Sequence, residues 1–202
     1  MQNIYKRLSV AITDSFIRND IIPAKKKEIY KYGFEVLIST LVYTAIFIAI
    51  SVITKTIVPS LVFWIGFFIV RTISGGFHAK TYLSCHLLFM INHLVAICIL
   101  KLCPVAAQVP TAYVLSMISA ILMLIFAPVD HPNKPFIKSE RKRFRKYSCI
   151  FAVLLLIVSV SVVIVSNSRF VYYSLSFAIG TFSAAVSLVS AKISYNKGEP
   201  QK

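Results

Sequence analysis

Six apolar runs separated by short polar segments dominate the sequence. The runs cover about residues 34–53, 57–70, 81–100, 111–129, 148–165 and 170–191. Most of them approach the roughly 20 apolar residues that a helix needs to cross the hydrocarbon core of a bilayer. Because a helix satisfies its own backbone hydrogen bonds in lipid, we expect a single all-α membrane domain over residues 1–202, with six transmembrane helices.

The first 22 residues follow a different pattern. Charged residues alternate there with apolar side chains that recur at helical spacing. The apolar positions are Ile4, Leu8, Ala11, Ile12 and Phe16. This pattern predicts an N-terminal amphipathic helix, within residues 1–22, that lies in the membrane interface instead of crossing the bilayer. Pro23 ends the pattern before the first apolar run.

The second apolar run is short for a membrane crossing. Its residues, about 57–70, extend roughly 21 Å as a helix, against a hydrocarbon core of about 30 Å. Either the bilayer thins at this helix or the chain after Val70 is still at membrane depth. The pair Gly75-Gly76 permits a bend, and a broken helix of this kind can line a cavity that opens to the cytoplasm.

Composition and charge support a membrane protein. Hydrophobic residues make up 57% of the 202 residues and charged residues 14%, with a mean hydropathy of +0.77, whereas soluble domains are about 25% charged. The net charge is +15. If the N-terminus is cytoplasmic, only three of the 22 Lys and Arg residues lie on the outer side of the membrane, namely Lys55, Lys101 and Arg169. This bias follows the positive-inside rule, so we expect both termini in the cytoplasm. Positive charge at the ends of apolar runs favours anionic lipids, and not nucleic acid, as a partner.

The segment 71–85 carries the chemistry that stands out most. It places an Arg, a Gly pair, a His and a Cys between two apolar runs. A nucleophilic Cys needs a neighbour that takes its proton, and His is the usual one, so His78 and Cys85 are the candidate pair. Their spacing of seven residues corresponds to about 10.5 Å along one helix, so contact requires His78 to leave the helix that carries Cys85. A packed Cys and a solvated loop His are the alternative.

Other polar residues are weaker candidates. His86 and His93, together with Cys85, suggest a metal site, but polar side chains facing the interior of a helix bundle explain them better, because no further ligand falls at a suitable spacing. We therefore expect neither a metal nor a cofactor.

Two charged residues beside the candidate pair have more than one interpretation. Arg71 either holds a substrate carboxylate or extends to the interface as many membrane arginines do. Asp130, near the predicted cytoplasmic edge of the fourth run, either orients His78 or pairs with Arg71 or with the basic residues that follow.

These residues carry a resemblance to a known family. Arg71, then Gly75-Gly76-Phe77-His78-Ala79, then Cys85 seven residues after the His, resembles the signature of the accessory gene regulator B (AgrB) family. The segment 127–135 (APVDHPNKP) and the early Tyr32-Gly33-x-Glu35 are similar to that family too. Its members are bacterial membrane endopeptidases that process the quorum-sensing propeptide AgrD.

The resemblance implies a reaction, partners and a location. The catalytic residues of the family fall on His78 and Cys85, and the candidates for substrate binding or support are Arg71, Gly75, Gly76 and Asp130. Cys85 would cleave the C-terminal tail of an AgrD-like propeptide and pass the acyl group to a substrate Cys or Ser, forming a cyclic thiolactone or lactone. The resemblance also implies a homodimer in the bacterial cell membrane, with the active site facing the cytoplasm.

The residues alone leave a non-enzymatic alternative open. A membrane carrier or exporter of a small peptide would use the same cavity and basic inner face without covalent chemistry. The sequence contains no nucleotide-binding loop, so such a carrier would not be powered by ATP.

Overall fold

The computed structural model describes residues 2–75, 82–129, 136–164 and 168–196. The described residues form helices and connecting segments and contain no β-strand. A 3-10 turn covers Ala24–Lys26, and the seven α-helices are α1 (Gln2–Arg18), α2 (Lys27–Ile53), α3 (Ile57–Ser74), α4 (Tyr82–Leu102), α5 (Val105–Phe126), α6 (Lys138–Ile164) and α7 (Ser168–Asn196). The prediction of an all-α protein is confirmed.

Among the described residues, five helical stretches are long and apolar enough to cross a membrane. They are Ala24–Ile53, Ile57–Ser74, Ser84–Leu102, Val105–Phe126 and Phe170–Tyr195. The protein therefore has the helices of a multi-pass membrane protein. The predicted run at 148–165 falls largely within α6, which begins in the basic segment and is not one of the five. The count of six spans and the cytoplasmic termini stay predictions.

Helix α3 is longer than the apolar pattern indicates. The sequence predicts its end near Val70, but the helix continues through Arg71 to Ser74 and contains 18 residues. It is therefore about 27 Å long, nearer to the thickness of the hydrocarbon core than the predicted run. The helix therefore continues beyond Val70, as the second explanation of the short run requires.

Helix α7 packs against both α3 and α5, and α5 packs against α6. The crossing of α3 and α7 is close because each helix places a Gly there. A Cβ added at Gly66 would lie 2.8 Å from the carbonyl oxygen of Phe177, and one added at Gly180 would collide with the carbonyl oxygen of Phe63. Small residues of this kind let two helix backbones approach in a membrane, where apolar burial alone gives little preference for helix association.

Helix α1 folds back and packs along α2. The ring of Phe16 meets that of Phe34 edge-on, with centroids 5.3 Å apart. Ser9 and Thr13 are fully buried, and Thr13 donates to the Ser9 carbonyl at 2.7 Å. Ile4 and Leu8 are exposed, so α1 turns a small polar stripe inward together with Phe16 and leaves part of its apolar side chains outside. The predicted amphipathic helix is thus observed, and its place in the membrane interface stays a prediction.

Candidate functional site

The end of α3 forms the first part of the candidate site. The helix stops at Gly75, which has φ +80° and ψ −151°, and the Gly75 N–H donates to the Arg71 carbonyl at 3.1 Å. A Cβ at Gly75 would lie 2.6 Å from the carbonyl oxygen of Val129. Both the backbone conformation and this contact require glycine. The bend predicted at the glycine pair is observed at Gly75, while Gly76 lies outside the described residues.

Arg71, in the last turn of α3, points toward α7. Its Nη1 donates to the hydroxyl of Ser187 at 3.2 Å, and that hydroxyl in turn donates to the Ala184 carbonyl at 2.7 Å. The Arg71 side chain is therefore held against α7, which differs from an interfacial Arg that only extends into water.

Cys85 is partly buried and carries a free thiol, three residues after Tyr82, where the described part of α4 begins. His78 lies outside the described residues, so its pairing with Cys85 stays a prediction.

The connection after α5 reaches the same end of α3. The N–H of Val129 donates to the Ser74 carbonyl at 3.0 Å. Asp130, the next residue, lies outside the described residues, and its role stays a prediction. The structure nevertheless brings together the two chain segments that precede Gly76 and Asp130.

Helix α6 joins this contact through Ser148. The hydroxyls of Ser74 and Ser148 are 3.0 Å apart, and Ser148 also lies within 3.4 Å of the Ile73 carbonyl oxygen. Both serines are fully buried. Sequence reasoning missed this pair, because no local pattern connects two serines that are 74 residues apart.

Arg145 binds the end of α5. Its Nη1 donates to the Ala127 carbonyl, and its Nη2 donates to the Leu124 carbonyl at 2.5 Å. These carbonyls belong to the last turn of α5 and the residue after it, where acceptors lack partners within the helix. Sequence reasoning placed Arg145 in a run of basic residues and found no reason to separate it from its neighbours.

His86 and His93 contact aromatic residues of neighbouring helices. The His86 ring stacks on Tyr43, with centroids 4.3 Å apart. The buried His93 lies 4.2 Å from the Phe47 ring, and its Nε2 is 2.9 Å from the Ser60 hydroxyl. Within the described parts of the chain, no three His, Cys, Asp or Glu side chains are grouped closely enough to hold a metal ion. The arrangement is that of polar and aromatic contacts between helices.

Comparison with known proteins gives a consistent result. The sequence profile of the family described as "Accessory gene regulator B" matches residues 9–189. The chain is 31% identical over 155 residues to "Putative AgrB-like protein 2" of Clostridium perfringens (strain 13 / Type A), an alignment that covers 71% of each chain. It is 28% identical over 149 residues to "Accessory gene regulator protein B" of Staphylococcus intermedius, covering 73% of this chain and 68% of the relative. No solved structure is significantly similar to the chain.

Proposed function

The chain belongs to the accessory gene regulator B family, with residues 9–189 matched, and from this premise we propose that it is a membrane cysteine endopeptidase. The substrate is an AgrD-like quorum-sensing propeptide, whose C-terminal tail is cleaved off and whose remaining segment is closed into a ring. Family membership supports the role in quorum-sensing peptide processing, and the arrangement around Cys85 supports the chemistry.

One observation carries the proposal: Cys85 has a free, partly buried thiol near the start of the described part of α4, while Arg71 at the end of α3 is fixed by its bond to Ser187. A nucleophilic Cys requires access, a base and surroundings that tolerate negative charge. The Arg71 guanidinium is the proposed source of the third. His78 is the proposed base, since the segment that carries it joins Gly75 to α4.

The proposed reaction begins when His78 takes the proton of the Cys85 thiol and the sulfur attacks a carbonyl carbon at the start of the substrate tail. The C–S bond forms and the C–N bond breaks, while His78 gives its proton to the leaving amine. A Cys or Ser side chain of the substrate then attacks the acyl carbon and displaces the Cys85 sulfur. The proton of the attacking group returns through His78 to Cys85, and a cyclic thiolactone or lactone leaves.

Ring closure instead of hydrolysis requires that water is excluded from the acyl-enzyme. A thioester to Cys85 and a thiolactone are close in energy, so the competing attack by water decides the product. Arg71 lies in a stretch that is apolar enough to span a membrane. We propose that Arg71 binds a carboxylate of the substrate and that the surrounding lipid and helices limit access of water.

The test is cleavage of the propeptide by the purified protein in liposomes. We expect Cys85→Ala to reduce the rate by at least about a thousandfold, because the covalent route is lost. Cys98→Ala is the matched control, since Cys98 lies on the same helix and is exposed on its surface. A substrate without its ring-forming Cys or Ser should leave an acyl group on Cys85 that mass spectrometry detects.

Cleavage by Cys85→Ala at the rate of the control would refute the cysteine mechanism. If the wild-type protein moves the propeptide across the membrane and never cleaves it, the non-enzymatic carrier is correct instead. Both outcomes are read from the same liposomes, by analysing the peptide inside and outside after separation.

A further inference from the structure

We infer that Arg145 and Ser148 are positioning residues of the active site, an inference that rests on the proposed function. Both lie on α6, which contributes no predicted catalytic residue. Through them, α6 holds the end of α3 and the segment after α5 in one fixed arrangement, and in the sequence the end of α3 directly precedes the segment that carries His78. We call the set Ser74, Gly75, Val129, Arg145 and Ser148 the helix-end clamp.

The first part of the clamp fixes the segment after α5. Arg145 donates from both terminal nitrogens, one to Ala127 and one to Leu124. The planar guanidinium places two donors at a fixed angle, so two carbonyls bound together define the direction in which the chain leaves α5. Its positive charge also offsets the negative end of the helix dipole.

The second part fixes the end of α3. Ser148 is fully buried between Ser74 and Ile73, with its hydroxyl 3.0 Å from the Ser74 hydroxyl and 3.4 Å from the Ile73 carbonyl oxygen. In membrane proteins, hydroxyl groups at such helix contacts bind across helices with little freedom to move. The last turn of α3, which also carries Arg71, is thereby attached to α6.

The third part closes the arrangement between α3 and the segment after α5. Val129 donates to the Ser74 carbonyl at 3.0 Å, and Gly75 approaches the Val129 carbonyl so closely that no Cβ fits. The two active-site segments therefore contact each other directly, and α6 binds both of them. A shift at Arg145 or Ser148 therefore moves the backbone at Gly75, three residues before His78 in the sequence, and at Val129.

The clamp contacts the packed interior, to which its Val129 belongs. The nearby core is formed by apolar side chains that the substitutions leave intact, among them Val70, Met123, Leu155 and Leu188. We therefore expect loss of the clamp to reduce the catalytic step more than the stability of the fold. Misplacement of reacting groups by about 1 Å can reduce a rate by about a hundredfold.

The experiment compares Arg145→Met with Arg143→Met, using propeptide cleavage in liposomes and measuring kcat and KM separately. Both variants lose one positive charge from the same helix, but the guanidinium of Arg143 lies over the ring of its neighbour Phe144, 5.6 Å from the ring centroid. For Arg145→Met we expect kcat to fall about 10- to 100-fold with KM within about twofold. For Arg143→Met we expect kcat to be unchanged. Arg145→Lys should recover part of kcat, because an ammonium still reaches a carbonyl without the fork geometry.

Ser148→Ala tests the α3 side of the clamp and remains informative if Arg145→Met does not fold. We expect it to lower kcat in the same manner, with a melting temperature in detergent near that of the wild type. The inference is wrong if Arg145→Met and Ser148→Ala have the same kcat as the control Arg143→Met, in an assay where Cys85→Ala is inactive. It is also wrong if these variants raise KM alone, because a positioning role acts on the catalytic step. Cleavage by Cys85→Ala refutes the proposed function itself, so the two failures are distinguishable.

Discussion

The contact of α3 with α7 and the contact of α2 with α4 are built in opposite ways. The first brings backbones together at Gly66 and Gly180, and Ser176 adds a buried hydrogen bond to the Pro59 carbonyl at 2.5 Å. The second relies on rings, with His86 stacked on Tyr43 and aromatic neighbours along α4. A backbone contact accepts no added atom, whereas ring contacts persist through small shifts of the helices.

The candidate site is assembled across these two kinds of contact. Arg71 belongs to α3, which α7 holds at Gly180 and again at Ser187. Cys85 belongs to α4, whose described contacts with α2 and α3 are made mainly by rings and by the His93–Ser60 pair. The comparison shows that close backbone contacts fix the helix of Arg71, whereas side-chain contacts hold the helix of Cys85 against α2 and α3.

Gly180→Leu should disrupt the close contact of α3 with α7 and lower the stability of the fold more than any other change considered. The new side chain would collide with the carbonyl of Phe63 on α3, and overpacking of a close contact costs about 3 kcal/mol or more. For a protein of this size that corresponds to a melting temperature lower by roughly 10 °C, measured in detergent.

Gly33→Ala is the matched control for this loss, since no atom lies within 4 Å of a Cβ placed there. Ala is also the better helix former by about 1 kcal/mol, so the control should melt at the wild-type temperature or above. Equal melting temperatures for Gly180→Leu and the wild type would contradict the close packing of α3 and α7.

Gly75→Ala should damage the site more than the fold. The positive φ and the Val129 carbonyl both exclude a Cβ, and forcing one in costs about 1–3 kcal/mol. We expect the cleavage rate to fall at least about tenfold, because the end of α3 and the segment after α5 must separate. Wild-type cleavage by Gly75→Ala would show that this contact is not needed for catalysis.

His93→Phe should lower the melting temperature least, and it tests the side-chain contacts that hold α4 against α2 and α3. Phe keeps a ring against Phe47 and loses the hydrogen bond to Ser60, a loss of about 1 kcal/mol. A double-mutant cycle with Ser60→Ala, followed by melting, should give a coupling energy of similar size. Complete loss of cleavage in His93→Phe would mean that α4 cannot shift without loss of activity. If the purified wild type contains zinc and His93→Phe does not, the metal interpretation of His86 and His93 is correct instead.

The apolar runs predicted most of the helices because the signal is long and local. The same signal missed the end of α3, because Arg71 and Thr72 interrupt the apolar pattern while the helix continues to Ser74. It also placed the start of the fifth helix near residue 148, whereas α6 begins at Lys138 in the basic segment.

The site was predictable only in part. Spacing and residue type made Cys85 a candidate, whose role stays a prediction, and the glycine pair indicated the bend that is observed at Gly75. Ser148 and Ser187 carry no such signal in the sequence. Ser148 contacts Ser74, 74 residues away, and Ser187 accepts a hydrogen bond from Arg71, 116 residues away. Only the packing of α6 and α7 against α3 brings these hydroxyls to the site.

The bond between Arg71 and Ser187 has a consequence for biosynthesis. Ser187 lies on α7, so it is synthesised after the segment that carries Cys85. The hydrogen bond between Arg71 and Ser187, and the contacts of α7 with α3 and α5, can form only after α7 has been synthesised. We therefore expect a chain that ends before α7 to contain Cys85 but to lack the complete candidate site.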